Sequence, residues 1–216
     1  QRFLCITRPR RFGKTVMANM VASYFGKAID SSFIFEHLAI AKSPVYEEYI
    51  NKYDVIYIDF SRLPENCQTY EEYINRIKTG IKEDLLEEFS ELELKEEMSL
   101  WDILAKIFQK TNRKFMFIMD EWDAVFHMPF ISQKERQEYL LFLKNLLKDQ
   151  VYVELAYMTG ILPIAKYSAA SELNMFVEYN MATRERFSSY FGFSEEEVDK
   201  LFQIYSETTI RPRITR

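Results

Sequence analysis

Four short apolar runs, set apart by stretches with helical periodicity, constrain this chain more than any other feature. They are Phe3 to Thr7, Val55 to Phe60, Phe115 to Met119 and Val153 to Met158. Runs of this length without polar alternation fit strands buried on both faces. After the first run, Val16, Met17, Met20, Val21, Tyr24 and Phe25 recur at helical spacing, and Gly26 is placed to end that helix. Residues 27 to 53 are mixed in character and read as irregular chain with short helical turns. Thr69 and Glu72 then form a capping-box pattern ahead of Tyr73, Ile74, Ile77, Ile81, Leu85 and Phe89. Leu100, Ile103, Leu104, Ile107 and Phe108 mark another amphipathic helix, and Ser132 with Glu135 opens one bearing Tyr139, Leu140, Leu143, Leu146 and Leu147. Strands separated by helices require right-handed crossovers, so the expected fold class is α/β, a parallel sheet flanked by helices. Sheets of that kind bind ligands at the carboxyl ends of their strands.

No further core strand is evident after the fourth run. Helical spacing returns with Ser194 and Glu197 ahead of Val198, Leu201, Phe202 and Tyr205. The expected organisation is therefore a core over residues 1–169, with a helical lid or the start of a second, truncated subdomain over 170–216. The chain opens at Gln1 inside an apolar run and ends on Arg211-Pro212-Arg213-Ile214-Thr215-Arg216, which breaks the preceding pattern. Both ends read as those of a fragment.

Composition excludes several function classes. Of 216 residues, 48% are hydrophobic and 28% charged, as a packed globular domain requires. Aromatic content is high at 16% and is read as a large aromatic core. The net charge of −5 argues against a nucleic-acid footprint over the whole domain, though not against a local basic patch. Cys5 and Cys67 give neither a disulfide framework nor zinc spacing, and His37 and His127 are too few for a histidine metal cluster. A reducing cytoplasm is the expected compartment. No apolar run approaches the roughly 20 residues of a membrane span, so no membrane association is expected.

The chemistry is concentrated where the first strand meets the first helix. Arg8-Pro9-Arg10-Arg11-Phe12-Gly13-Lys14-Thr15, running into Val16, stands where a phosphate-binding loop belongs. Backbone N–H groups at a helix N-terminus point at an anion with the helix dipole behind them. Gly13 lets the backbone come close, Lys14 reaches β- and γ-phosphates, and the Thr15 hydroxyl is a magnesium ligand. A bare Gly-Lys-Thr is common by chance, and Arg8 stands where the usual loop begins with glycine; the position between strand and helix gives the motif its weight. The third run ends in Asp120-Glu121. A carboxylate at the tip of a buried strand is costly unless it meets solvent, a partner or a metal. Asp120 is placed to hold magnesium, and Glu121 is the candidate base that orients or deprotonates an attacking water.

Other polar residues have two readings each. Asp59 ends the second strand as a metal-shell support or as a turn initiator. Thr159 ends the fourth, as a hydroxyl that senses the γ-phosphate or holds the lytic water, or as an ordinary turn threonine. Asp123 reads as a helix-start carboxylate. Arg8, Arg10 and Arg11 bring positive charge to a triphosphate, a neighbour or nucleic acid. Arg184 and Arg186 are candidate arginine fingers or exposed solvated arginines.

Taken together, these residues resemble the AAA-ATPase-like family of bacterial and archaeal P-loop proteins, whose loop also begins with arginine. The segments that carry the resemblance are Arg8 to Thr15, Ile58-Asp59-Phe60-Ser61, Ile118 to Asp123, Met158 to Ile164, Asn174-Met175-Phe176 and Tyr190 to Val198. It covers the chain to about Glu207. It implies the P-loop NTPase fold with an added strand between the loop strand and the Asp-Glu strand, and it makes the two motifs the Walker A and Walker B elements. It also implies ATP rather than GTP, with Mg2+ as cofactor; no guanine-reading Asn-Lys-x-Asp motif is present. The expected function is magnesium-dependent ATP hydrolysis coupled to conformational change. The alternative is a nucleotide-dependent switch or binding module with negligible turnover. A small-molecule kinase shares the loop but lacks an identifiable arginine-rich lid. The family is often followed by a restriction-endonuclease-like domain, so nucleic acid is an expected partner through a missing domain, and a homo-oligomer that shares an arginine is a further expectation.

Overall fold

A computed structural model describes residues 2–167, 171–180, 187 and 190–206. Five strands form one parallel sheet: β1 (Phe3–Thr7), β2 (Asp54–Asp59), β3 (Phe115–Asp120), β4 (Val153–Gly160) and β5 (Val177–Tyr179). Their order is β2-β3-β4-β1-β5, so β4 lies between the loop strand and the Asp-Glu strand, as the resemblance implies. The helices are α1 (Lys14–Phe25), α2 (Ser32–Phe35), α3 (Tyr46–Tyr49), α4 (Tyr70–Glu88), α5 (Leu100–Thr111), α6 (Gln133–Leu147) and α7 (Glu195–Ser206).

β3 is the most fully buried strand, with every residue from Phe115 to Asp120 buried. On one face of the sheet, α4, α5 and α6 pack Tyr73, Ile103, Leu104 and Leu143 against Ile58, Phe117 and Met119. On the other, α1 sets Ala18 against Ile6, Ile118 and Tyr157. The aromatic content fills the first face: Trp122, Tyr73, Tyr139, Tyr152, Phe60 and Phe89 are almost wholly buried. The three tyrosines among them each give the hydroxyl to a carbonyl, Tyr73 to Phe60 (2.7 Å), Tyr139 to Trp122 (2.8 Å) and Tyr152 to Leu146 (2.8 Å). In these three, burial of the ring leaves no phenol oxygen unpaired, whereas the buried hydroxyls of Tyr46 and Tyr157 have no hydrogen-bond partner among the described residues.

The expected capping boxes form. Thr69 with Glu72 opens α4, Ser132 with Glu135 opens α6, and Ser194 with Glu197 exchanges the same pair of bonds ahead of α7. Residues 28 to 52 hold α2, α3 and a 3-10 turn around a small cluster of Tyr24, Phe35, Tyr46 and Ile50. One expectation is corrected. The sheet does not end with the fourth run: β5, beyond residue 170, pairs in parallel with β1, matching Leu4 to Val177 and Ile6 to Tyr179. Three residues with a glutamate in the middle carry too little periodicity to signal a strand.

Register brings the strand ends together. Asp59 pairs with Asp120, Met119 with Met158, Ile6 with Thr159 and Thr7 with Gly160. The carboxyl ends of β2, β3, β4 and β1 thus form one continuous rim. Gly160 sits where that rim is tightest, since a Cβ there would lie 2.4 Å from Trp122 Cδ1 and 2.7 Å from Asp123 Oδ1. Gly160→Ala is expected to destabilise the protein by roughly 1–3 kcal/mol, read as a lower denaturant midpoint at unchanged slope.

Candidate functional site

The loop after β1 is a backbone cradle. Arg11 (φ 70°) and Gly13 (φ 78°) both have left-handed conformations on either side of Phe12. Such alternation turns successive N–H groups inward, the arrangement that binds anions. α1 begins at Lys14 with no side-chain cap and no acidic residue in its first turn. By contrast, α4, α5 and α6 each have a hydroxyl cap and a carboxylate in that turn. The first-turn N–H groups of α1 are thus left to an external acceptor. Thr15 and the side chains of Arg10 and Arg11 are exposed, whereas Lys14 is only 4% exposed. Its ammonium donates to Pro9 O (3.2 Å) and lies 3.8 Å from Glu121 Oε1.

Opposite the loop, Asp120 is buried and Thr159 entirely so. The Thr159 hydroxyl donates a short hydrogen bond to Asp120 Oδ1, and the Glu121 N–H donates to the same oxygen (3.1 Å). Tyr57, on β2, extends its hydroxyl to Asp120 Oδ2 at 3.5 Å. Glu121 has a left-handed backbone (φ 52°), uncommon for a side chain of its size and costly, as is frequent at functional positions. That turn carries its carboxylate to Lys14. Burial raises the Glu121 pKa above the ordinary 4.5; the Lys14 ammonium pulls the other way, and Asp120, Asp123 and Asp59 add to the rise.

A family model described as "Predicted AAA-ATPase" matches residues 1–170. The chain belongs to this AAA-ATPase-like family. Among solved structures, one similar chain is the Aeropyrum pernix ORC2 protein, solved as ADPNP-ADP complexes, at 11% identity and a TM-score of 0.39. The alignment covers 100% of this chain and 48% of that one, so the present chain spans about half of that neighbour's length. No curated protein matches the chain.

Within this AAA-ATPase-like domain, several polar residues hold the site rather than face it. The Arg8 guanidinium, buried with the rest of its residue, donates to Thr7 O and Tyr179 O (both 2.8 Å) and lies over the Phe191 ring. With these bonds it ties the loop root to β5. Asp59 accepts from Ser61 N–H (3.0 Å) and hydroxyl (2.7 Å) and from Arg62 Nε (3.0 Å), which makes it a turn residue. Asp123 precedes a 3-10 helix without capping it. It accepts instead from Ile161 N–H (3.1 Å) and Leu162 N–H (2.9 Å), fixing the chain that leaves β4.

Tyr57 and Glu178 were not foreseen. Glu178 accepts from the Thr7 hydroxyl (3.1 Å) and Ile164 N–H (3.0 Å), joining β5 to the loop strand and to the segment after β4. Neither tyrosine nor glutamate inside a strand stands out without the register that places it. Arg184 and Arg186 lie outside the described residues. Among the described residues, no group of three or more His, Cys, Asp or Glu gathers to hold a metal, and no helix is long and apolar enough to cross a membrane. Arg8→Ala is expected to cost at least about 2 kcal/mol, because it strips a charged donor from two backbone carbonyls. Urea unfolding measures this directly.

Proposed function

We propose that this domain binds ATP with Mg2+ at the loop from Arg8 to Val16 and hydrolyses it. The observation that carries the reading is the uncapped, acid-free start of α1 facing a buried Lys14 and a strand-end carboxylate pair. Phosphate oxygens would take the loop and first-turn N–H groups, and the Lys14 ammonium would exchange Pro9 O and Glu121 for β- and γ-phosphate oxygens. The donor set suits a hard cation: Thr15 offers a hydroxyl and Asp120 a carboxylate, both oxygen ligands, with phosphates and water to complete an octahedron. Bound magnesium would neutralise charge that develops on the phosphates.

Glu121 is the residue for the attacking water. Its carboxylate is held at the mouth of the loop by a strained backbone, and a released Glu121 is free to accept a proton. Thr159, bonded to Asp120, orients that carboxylate and would be the hydroxyl that senses the γ-phosphate. The free cysteines, Cys5 and Cys67, suit a cytoplasmic setting. Nucleic acid acting through a further domain, and a neighbour's arginine in an oligomer, belong to the same proposal.

Lys14→Ala removes a charge-assisted contact worth roughly 1.5–3 kcal/mol, so ATP affinity by calorimetry should fall about tenfold or more. Unchanged affinity in the folded variant would refute the site. Glu121→Gln should retain ATP binding and lose turnover by roughly 10²–10⁴-fold. Turnover at the parental rate would remove its catalytic role. A base must be ionised to act, and the pKa of Glu121 is raised. In the parent, kcat/KM, which reports groups of the free enzyme, should therefore climb with pH along an acid limb whose midpoint lies above 4.5, the ordinary glutamate value. A midpoint at or below that value would contradict the assignment.

A further inference from the structure

β2 is one edge of the sheet, and its outer side is only partly used. Phe60 N–H donates to Asp120 O (3.1 Å) while Asp59 pairs in register with Asp120. In a parallel ladder with that pairing, the even-numbered residues of β2 turn their backbone groups to β3 and the odd-numbered ones turn theirs outward. Tyr53 already uses the outward side. Its N–H donates to Phe25 O (2.8 Å) and its carbonyl accepts from Lys27 N–H (3.0 Å), an isolated parallel bridge with Gly26. There the pairing stops. Val55 and Tyr57 carry the next outward N–H and C=O groups, and these have no backbone partner among the described residues.

A groove of about 750 Å³ runs beside this open edge, between Gly26–Ala28 and the last turns of α4. Ile56, Ile81 and Leu85 give it apolar surface, and its charge is acidic. Asp54 is paired with Lys27 (3.0 Å) and Arg113, and Glu88 with Arg113 (3.4 Å). Asp84 and Glu87 also line the groove; both are exposed and have no ion-pair partner among the described residues. Open edges are ordinarily blunted by charged residues, above all lysine, or by proline, and between its end residues Asp54 and Asp59 the strand β2 has only Val55, Ile56, Tyr57 and Ile58.

We propose that the β2 edge is a docking site for an extended, basic peptide strand of a partner protein. Main-chain bonds to Val55 and Tyr57 would continue the pairing that Gly26 begins, and cationic side chains at alternate positions would meet Asp84 and Glu87. Strand addition draws affinity from the backbone and specificity from alternate side chains, and an unpaired acidic rim selects a basic partner. A second copy of this chain fits less well, because two such edges would face Asp84 and Glu87 with the same acids.

The test is fluorescence polarisation with a labelled eight-residue peptide alternating arginine and valine. It needs no nucleotide, so its failure is separable from failure of the ATP site. The peptide should bind the parent. Binding should weaken at least tenfold when alternate backbone nitrogens of the peptide are methylated, and at least tenfold in the Asp84→Lys/Glu87→Lys protein. Both substituted positions are exposed on α4, and the methylated peptide tests strand pairing on the unaltered protein. Equal binding of the methylated peptide, or equal binding to the double variant, would overturn the proposal. So would a concentration-dependent dimer for which the peptide competes, since that would assign the edge to a second copy.

Discussion

A carboxylate closed off from water must be given hydrogen bonds or the fold loses several kcal/mol, and Asp120 imposes that demand at the centre of the rim. The demand is met from the next strand, by the Thr159 hydroxyl, and from the next residue, by the Glu121 N–H. Trp122 N–H donates to Thr159 O (2.9 Å), so the chain leaving β3 stays pressed against β4. Asp123 then caps the chain leaving β4 at Ile161 and Leu162. The four residues that follow Met119 thus do four different jobs within one turn. Asp120 presents a carboxylate, Glu121 reaches Lys14, Trp122 fills the core beside Gly160, and Asp123 fastens the neighbouring strand end.

The loop side is built by the opposite means. Its positive groups are not neutralised by caps but held ready by the backbone. β1 is clasped between β4 and β5, Arg8 and Glu178 tie it to the short outer strand, and the left-handed Arg11 and Gly13 turn the chain into α1. Lys14 bridges the two halves, touching Pro9 on its own loop and Glu121 on the other side. The ion pair closes a site whose two ends come from residues more than a hundred positions apart in the chain.

Elements with strong local signals were legible in the sequence. The four apolar runs became β1 to β4 within a residue or two at each end, and the hydroxyl-to-glutamate patterns at Thr69, Ser132 and Ser194 became capping boxes. Both depend on neighbours a few residues away. What was missed depends on register. β5 is three residues long and is stabilised by the strand beside it, not by its own pattern. The turn of Arg8 toward Tyr179 O depends on β5, which a cation in a loop does not announce. Asp123 does stand at the start of a 3-10 helix, as its position suggested, but the partners of its carboxylate lie 38 and 39 residues further on. The placing of Asp120, Glu121 and Thr159 at strand ends, and of Lys14 across from Glu121, followed from where strands and the first helix begin and end, which the sequence marks clearly.

The central claim is that this rim binds ATP through magnesium held at Asp120. Equilibrium titration of a fluorescent ATP analogue, with magnesium and with the metal chelated, compares the parent with Asp120→Asn most directly. The account predicts tighter binding in magnesium for the parent and little or no gain from magnesium in the variant. Binding by the parent that does not respond to magnesium, or a gain as large in Asp120→Asn as in the parent, would contradict it.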